Sequence, residues 1–361
     1  MRRLCARAVN ATGWDCHFNM IRSKTTLVIG PGAGAEFDLP DKRDLLTKMA
    51  GAFDFARLGS ELQTRDMVLL SRHFEKFARR INTTEDRLRE AGQAIRISAR
   101  VGTTVDAVLE QHSGDALVMA AGKLALVYFI LQAEARSPLM AEPRDPGDLP
   151  LRGSENWLFQ LGRLLTSGVP RGQAEKAFDN LHIINFNYDR SIQHYLPWVV
   201  SMAFGMSLGE ARQLVGAKLN ITHPFGNAGR LPWEPGERPD VDWGNEDPWN
   251  LQNLVKEVLT GSERMRNRQY VTGLQSTLAS SKKIVFLGFD FDPQTVEFLF
   301  DYTFSHDPDV IAAVQGMNPP AMHAALRLLH RRTGIEDEGL VSLLDMRCFN
   351  FMRDYTLFLE S

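Results

Sequence analysis

The 361-residue chain has only three cysteines, Cys5, Cys16 and Cys348, and no C-x-x-C pair. So small and odd a number does not build the disulfide framework of a secreted domain. The spacing of the three residues also matches no set of metal ligands. We therefore expect a cytoplasmic protein that binds no metal.

The sequence also lacks an excess of basic residues and a long uninterrupted apolar run. Lys and Arg total 41 against 44 Asp and Glu, a net charge of −3. A nucleic-acid-binding protein usually carries a basic excess, so no direct nucleic-acid binding is expected. The longest apolar run, from Ala116 to Leu131, contains Lys123 and is shorter than the roughly 18 clean residues of a membrane span. It predicts a buried helix and no membrane partner.

Acidic residues are scarce at the start of the chain, where Asp15 is the only one in the first two dozen residues. This composition is similar to that of a transit peptide, but no apolar signal core follows. We expect residues 1–19 to form a disordered leader, with Met20 as the natural start.

A strand, a glycine turn and a helix-compatible stretch open the folded part of the chain. The strand is TTLVIG, from Thr25 to Gly30; the turn runs from Gly30 to Gly34, and the helical stretch closes near Gly51. This succession is typical of nucleotide-binding α/β folds. From about Arg57 to Lys176, apolar residues recur instead at helical spacing.

Strand patterns return after residue 176. Apolar runs end at FNYD (residues 186–189), before His223, and at GFDFD (residues 288–292). A further strand is expected from residue 309, followed by a helix over residues 321–332 and a strand-rich C-terminal tail. We predict an α/β fold with a Rossmann-like, mostly parallel sheet formed by residues 20–56 and 177–361. Residues 57–176 are predicted to be a large inserted helical module.

The glycine turn is a candidate phosphate-binding site. Gly30, Gly32 and Ala35 match the pattern G-x-G-x-x-[GA], in which glycines let the backbone approach a pyrophosphate and a following helix presents unpaired N–H groups. The alternative is a tight structural turn. A dehydrogenase would place an acidic residue about 20 residues further on, at the end of a second strand. Asp54 lies near that distance, but its surroundings, GAFDFARLG, are a poor strand, which disfavours a dehydrogenase.

Three further candidate sites each follow a predicted strand. They are the segment from Asn185 to Asp189, the imidazole of His223 and the segment from Gly288 to Asp292. Ligands of open α/β sheets bind at the carboxyl ends of strands. The alternatives are helix capping by the Asn and Asp side chains and a structural histidine.

The order of these segments resembles the sirtuin superfamily, and above all its prokaryotic sirtuin-like branch of NAD-consuming anti-phage defence proteins. Residues 30–40 align without gaps to that family's G-A-G-x-S-x-x-x-G-[IL]-P element, and residues 185–189 match its T-x-N-[YI]-D element. The segment HPFGNAGRLPW, from His223, is similar to its histidine segment. Thr104, Val105, Asp106 and Leu109 are similar to an element of its helical insert.

The resemblance implies an NAD glycohydrolase, which cleaves NAD to nicotinamide and ADP-ribose and acts as a defence effector. Asn187 would hold the ribose or a water, Asp189 would bind the nicotinamide carboxamide, and His223 would be the general base. NAD would enter as substrate. The implied cofactor-binding residues are Gly30, Gly32, Ala33, Gly34, Pro40, Gly226, Gly288, Phe289 and Asp290. Protein-deacylating sirtuins carry a four-cysteine zinc ribbon, which this chain cannot supply, so water is the expected acceptor.

Two other functions remain open. Gly34, Asp38 and Asp290 differ from the family pattern, and a carboxylate at position 290 would face a dianionic pyrophosphate. These differences favour an inactive sensor that binds NAD or ADP-ribose. The other alternative is an assembly scaffold, either a homo-oligomer or a partner of an ATPase or another component of a defence system.

Overall fold

Among the residues that the structure describes, six parallel strands form one sheet in the order β3–β2–β1–β4–β5–β6. A computed structural model describes residues 21–140, 148–151, 155–302 and 304–360, so the predicted leader, Met20, Cys5 and Cys16 lie outside the described residues. The strands are β1 (Thr25–Ile29), β2 (Leu181–Asn185), β3 (Ile221–Thr222), β4 (Lys283–Leu287), β5 (Asp309–Ala313) and β6 (Val341–Leu344). This order is that of the Rossmann fold, and the predicted α/β class is confirmed.

Helices cover both faces of the sheet. The α-helices are α1 (Lys42–Ala52), α2 (Arg65–Arg80), α3 (Glu85–Ser98), α4 (Val105–Gln111), α5 (Ala116–Arg136), α6 (Trp157–Thr166), α7 (Ser191–Phe204), α8 (Leu208–Lys218), α9 (Leu251–Leu254), α10 (Gly261–Met265), α11 (Arg268–Ala279), α12 (Pro293–Leu299), α13 (Pro319–Thr333), α14 (Cys348–Asp354) and α15 (Thr356–Glu360). Short 3-10 helices span Pro31–Phe37, Phe55–Arg57, Pro138–Met140, Arg171–Phe178, Val255–Glu257 and Glu338–Leu340.

The central strands are buried on both faces, which explains their continuous apolar sequences. Every residue of β1 and β4 is buried, as expected for parallel strands covered by helices. In β1, Val28 faces a core formed with α1 to α5 and α9 to α13, except the short α10. Its neighbour Leu27 faces the opposite core, formed with α6, α7, α8 and α14. Helices from residues 57–176 therefore contribute to both layers.

Helix α5 lies in the helical layer that packs against the Val28 face of the sheet. By length and composition it is the one helix among the described residues that could span a membrane, but 78% of its most apolar window is buried in the fold. The predicted buried helix is confirmed.

Two predicted elements differ from the observed ones. The glycine turn does not run directly into an α-helix; it continues as the 3-10 helix Pro31–Phe37, which ends at Asp38 in the left-handed conformation (φ 57°). Helix α1 begins only at Lys42, where the Asp41 carboxylate accepts hydrogen bonds from the N–H groups of Arg43 (2.7 Å) and Asp44 (2.8 Å). The C-terminal region predicted to be rich in strands contains β6 followed by two helices.

Candidate functional site

The candidate site lies where the strand order reverses, between β1 and β4. Gly30 follows β1, and Gly288 follows β4 with a positive φ of 60°. A Cβ atom on Gly30 would lie 2.5 Å from the Gly288 carbonyl oxygen, and one on Gly288 would lie 2.1 Å from the Ala33 nitrogen. Glycine is needed at both positions because the two turns pack backbone against backbone.

The N–H groups of the glycine turn are largely used within the protein. Gly32 donates to the Gly288 carbonyl (2.9 Å) and Ala33 to the Gly30 carbonyl (3.1 Å). The Ala33 carbonyl in turn accepts from the Trp157 indole at 2.9 Å. The turn is therefore a rigid wall of the site, and its amides at these positions are not available to an anion without a rearrangement.

Two cavities of very different size border this wall. The outer cleft has a volume of about 760 Å³, within the roughly 300–1,000 Å³ typical of small-molecule sites. It is lined by Pro31, Gly32, Ala35, Glu36, Leu39, Asp41, Lys42, Arg43, Asp44, Thr104, Gly288, Phe289, Asp290, Ala313, Val314, Gln315, Gly316, Met317, Met346, Arg347 and Cys348.

The inner cavity has a volume of about 20 Å³, room for about one water molecule. It is lined by Pro31, Gly34, Leu39, Pro40, Lys42, Leu45, Ile130, Phe186, Asn187, Tyr188 and Asp189. Pro31, Leu39 and Lys42 line both spaces, so the inner cavity lies beside the outer cleft.

The predicted site residues divide between these spaces. Gly32, Gly288, Phe289 and Asp290 line the outer cleft, and Gly34, Pro40, Asn187 and Asp189 line the inner cavity. Gly30, Ala33, His223 and Gly226 are in neither lining, although the first two belong to the wall between them.

Local packing explains why Phe289 and Gly226 occupy their positions. The Phe289 ring packs among aromatic side chains, with its centroid 5.5 Å from that of Phe186 and 5.1 Å from that of Phe286. Gly226 has a φ of 78°, and a Cβ atom there would lie 1.7 Å from the Glu257 carbonyl oxygen. A tight turn against residue 257 accounts for this glycine.

His223 and Asn187 come together, but through the main chain of Asn187. The His223 Nδ1 lies 3.0 Å from the Asn187 carbonyl oxygen. Because a carbonyl only accepts, Nδ1 carries the proton, and Nε2 accepts from the Gln193 side-chain amide at 2.8 Å. Burial, reinforced by nearby Arg238 and Arg190, lowers the pKa of His223 to about 4. The imidazole is therefore neutral, with its lone pair engaged by Gln193.

The Asn187 side chain has an unused acceptor. Its Oδ1 atom is buried and has no hydrogen-bond partner among the described residues. Its Nδ2 atom would lie 3.8 Å from a Cβ atom on Gly34, which puts this amide against the glycine turn. A buried amide oxygen without a partner is costly, so it marks a position where a ligand or water is expected to donate.

The Asp189 carboxylate lines the inner cavity and also supports helix α7. Its Oδ1 atom accepts from the Ser191 N–H at 3.0 Å. Burial raises the pKa of Asp189, although the hydrogen bonds from Ser191 oppose this effect. The carboxylate thus has a local structural role, a hydrogen bond to the first N–H of α7, although the N-cap of that helix is Arg190.

A buried ion pair next to this segment escaped the sequence analysis. The Arg190 Nε donates to Glu134 Oε1 at 3.1 Å, its second nitrogen Nη2 pairs with Oε2, and both side chains are fully buried. The Arg190 main-chain N–H also donates to Glu134 Oε1 (3.0 Å), and Nη1 donates to the Val241 carbonyl (2.6 Å). Helix α5 therefore holds the loop that carries Asn187 and Asp189. Glu134 inside an apolar helix was the available signal.

Lys42 is a second residue that the sequence analysis missed. Its Nζ lies 2.9 Å from Asp106 Oδ2, while the Tyr188 hydroxyl donates to Asp106 Oδ1 at 2.8 Å. Burial disfavours the ammonium form, but Asp106, Asp290 and Asp292 outweigh it and raise the pKa of Lys42. Lys42 is therefore a charged ammonium between the two cavities.

The outer cleft has charges of both signs. The cations are Lys42, Arg43 and Arg347, and the carboxylates are Glu36, Asp41, Asp44 and Asp290. Asp41 caps α1, and Glu36 accepts from the Phe349 N–H at 2.9 Å while burial raises its pKa. Among the described residues, no group of three or more His, Cys, Asp or Glu side chains is arranged to hold a metal ion.

The chain matches no protein-family model, no curated protein and no solved structure. The functional assignment therefore depends on the geometry of the site and on the motif resemblance.

Proposed function

We propose that the protein is an NAD glycohydrolase, which cleaves the nicotinamide–ribose bond of NAD with water. The observation that carries this proposal is the buried, unpartnered Asn187 Oδ1 beside the glycine turn, on the segment whose main chain holds the His223 imidazole. The outer cleft supports it, because a cleft of about 760 Å³ at the strand-order reversal suits a dinucleotide.

The reaction would need little more than orientation and one proton acceptor. The N-glycosidic bond breaks with its electron pair going to the departing nicotinamide, which leaves uncharged, and water forms the new C–O bond to the ribose. Asn187 Oδ1 would accept a hydrogen bond from the ribose or the water. The His223 Nε2 would take the proton released by the water once Gln193 gives up its hydrogen bond.

Nicotinamide release tests the activity. Purified protein is incubated with NAD and the products are separated by chromatography, with His223→Ala and Asn187→Ala as variants. We expect each variant to lose at least about a hundredfold in kcat/KM, the usual contribution of a positioned acid–base group. His323→Ala, an exposed residue of α13, is the matched control. The proposal fails if the wild type releases no nicotinamide in any oligomeric state, or if His223→Ala matches it.

A sensor that binds NAD or ADP-ribose without cleavage is the second candidate. It is favoured by the Gln193 amide on the His223 lone pair and by an inner cavity of about 20 Å³, too small for a nicotinamide ring. Calorimetry followed by recovery of the nucleotide separates the two functions: tight binding with NAD recovered intact indicates a sensor. A defence role and an ATPase partner remain predictions that rest on the motif resemblance. The cytoplasmic location remains a prediction from the low cysteine content, and a homo-oligomer remains part of the scaffold alternative.

A further inference from the structure

The inner cavity is narrow and is bounded by three parts of the chain. One wall is formed by residues 31–45, from the glycine turn to the start of α1 with Lys42, the second is the segment after β2 with Tyr188, and the third is Ile130 of α5. With about 20 Å³ of free volume it admits about one water molecule. An aromatic ring with a carboxamide can reach Asn187 and Asp189 only if these walls separate.

A single carboxylate joins two of these walls. The Asp106 Oδ1 atom accepts from the Tyr188 hydroxyl at 2.8 Å, and Oδ2 lies 2.9 Å from the Lys42 ammonium. The Lys42 and Asp106 side chains are 13% and 24% exposed, so solvent screens the pair only partly. Asp106 itself belongs to α4, a seven-residue helix of the 57–176 region. Asp106 therefore connects two residues of the cavity lining, Lys42 and Tyr188, without itself lining the cavity.

We propose that Asp106 is an autoinhibitory latch, which keeps the inner cavity closed by holding Lys42 and Tyr188 together. The proposal rests on the proposed function in one respect, that the group to be admitted is the nicotinamide end of NAD. Release of the carboxylate frees both walls at once, so a displacement of α4 opens the cavity.

The segment that leads into α4 has free space on one side. A surface cavity of about 360 Å³ lies between α1 and the segment that leads into α4, and Gly102 and Thr103 are in its lining. Val101, at the start of that segment, is 85% exposed. At its other end, α4 is attached through Glu110, whose Oε1 accepts from the Ser262 N–H at 2.8 Å. The segment that leads into α4 therefore borders open space, whereas Val105, Val108 and Leu109 of α4 itself are buried in the core, so the release of Asp106 requires only a small shift of the helix.

The test compares Asp106→Ala and Tyr188→Phe with a control variant, Glu110→Gln. The control also removes a carboxylate charge from α4, but at the residue that contacts Ser262. NAD affinity is measured by calorimetry, and hydrogen exchange is followed in residues 39–45 and 186–189. We expect Asp106→Ala and Tyr188→Phe to bind NAD about tenfold more tightly or better, because a larger open population raises apparent affinity. Glu110→Gln should match the wild type.

The outcomes separate the latch from the enzyme. If no variant binds NAD but exchange accelerates in the two segments in Asp106→Ala and Tyr188→Phe alone, the latch stands and the NAD proposal fails. If affinity and exchange are those of the wild type, the latch proposal is overturned. Tyr188→Phe decides the matter if Asp106→Ala does not fold, since it removes only a hydroxyl.

Discussion

At the scale of a single residue, the protonation state of His223 affects both the candidate site and the stability of the fold. Its Nδ1–H is held by the Asn187 carbonyl and its Nε2 by the Gln193 amide. Neither partner carries a negative charge that would favour the imidazolium form. A buried neutral histidine binds a proton less readily in the folded protein than in the unfolded chain, so its protonation opposes folding.

We predict that His223 titrates near pH 4 in NMR spectra of the folded protein. The folded pKa of about 4 lies below the ordinary value of 6.5. Its stabilising contribution is therefore complete above about pH 6.5 and is lost as pH falls toward 4. The free energy of unfolding in urea should lose about 2–3 kcal/mol of its advantage over His223→Gln across this range. His323→Gln is the control, and a midpoint near 6.5 would contradict the prediction.

Gly288 is predicted to be essential for the packing of the two turns. Both Gly288 (φ 60°) and Gly316 (φ 76°) have positive φ, but only a Cβ atom at 288 would meet backbone, 2.1 Å from the Ala33 nitrogen. Gly316→Ala should cost about 1 kcal/mol of unfolding free energy from backbone strain alone. Gly288→Ala should cost about 3 kcal/mol or more because overpacking adds to that strain. Equal losses in thermal or urea unfolding would show that the turns do not pack as described.

The secondary-structure elements differ in how far local sequence determines them. The central strands β1 and β4 were predicted correctly because continuous apolar runs such as TTLVI and KIVFL are typical of strands buried on both faces, whereas the C-terminal tail was wrongly predicted to be rich in strands. The start of α1 was not predicted correctly either, because Pro31 and the residues after it form a 3-10 helix and Asp38 turns the chain in the left-handed conformation. The capping carboxylate of Asp41 then sets the first residue of the α-helix.

The buried Glu134–Arg190 pair is the element-scale contact with the clearest energetic consequence. Glu134→Gln should destabilise the protein by about 3–5 kcal/mol, because it leaves the Arg190 charge buried without its partner. Glu75→Gln, which removes an ion pair with Arg79 from the exposed face of α2, should cost less than about 1 kcal/mol. Urea unfolding of both variants measures the difference. A loss at Glu134 as small as that at Glu75 would mean that water reaches Arg190.

The molecule as a whole brings together residues that no local pattern connects. The sequence placed Asn187, His223 and the glycine turn at strand ends, and the parallel sheet gathers strand ends at one edge. The narrow inner cavity could not be predicted, because its walls come from residues 31–45, from α5 and from the loop after β2. Asp106 was visible in a motif, but its contacts with Lys42 and Tyr188 depend on tertiary packing.

Removal of residues 57–176 tests whether the sheet and its remaining helices fold alone. We predict that a chain joining Ala56 to Ala177 shows no cooperative unfolding by calorimetry, because α5 and its neighbours cover one face of the sheet and α6 packs on the other. The exposed apolar faces would favour aggregation. The full chain is the reference. A cooperative transition in the shortened chain would establish the helical region as a separable domain.

The position of β1 has a consequence for biosynthesis. Thr25 pairs with Leu181 on one side and with Lys283 on the other. Of the six strands described, β1 is made first; one of its edges waits for about half of the sequence before its neighbour is made, and the other waits for more than three quarters. Contacts so distant along the chain form slowly, and an unpaired apolar strand is prone to aggregate in the meantime. Newly made molecules should therefore depend on chaperones more than a helical protein of equal length.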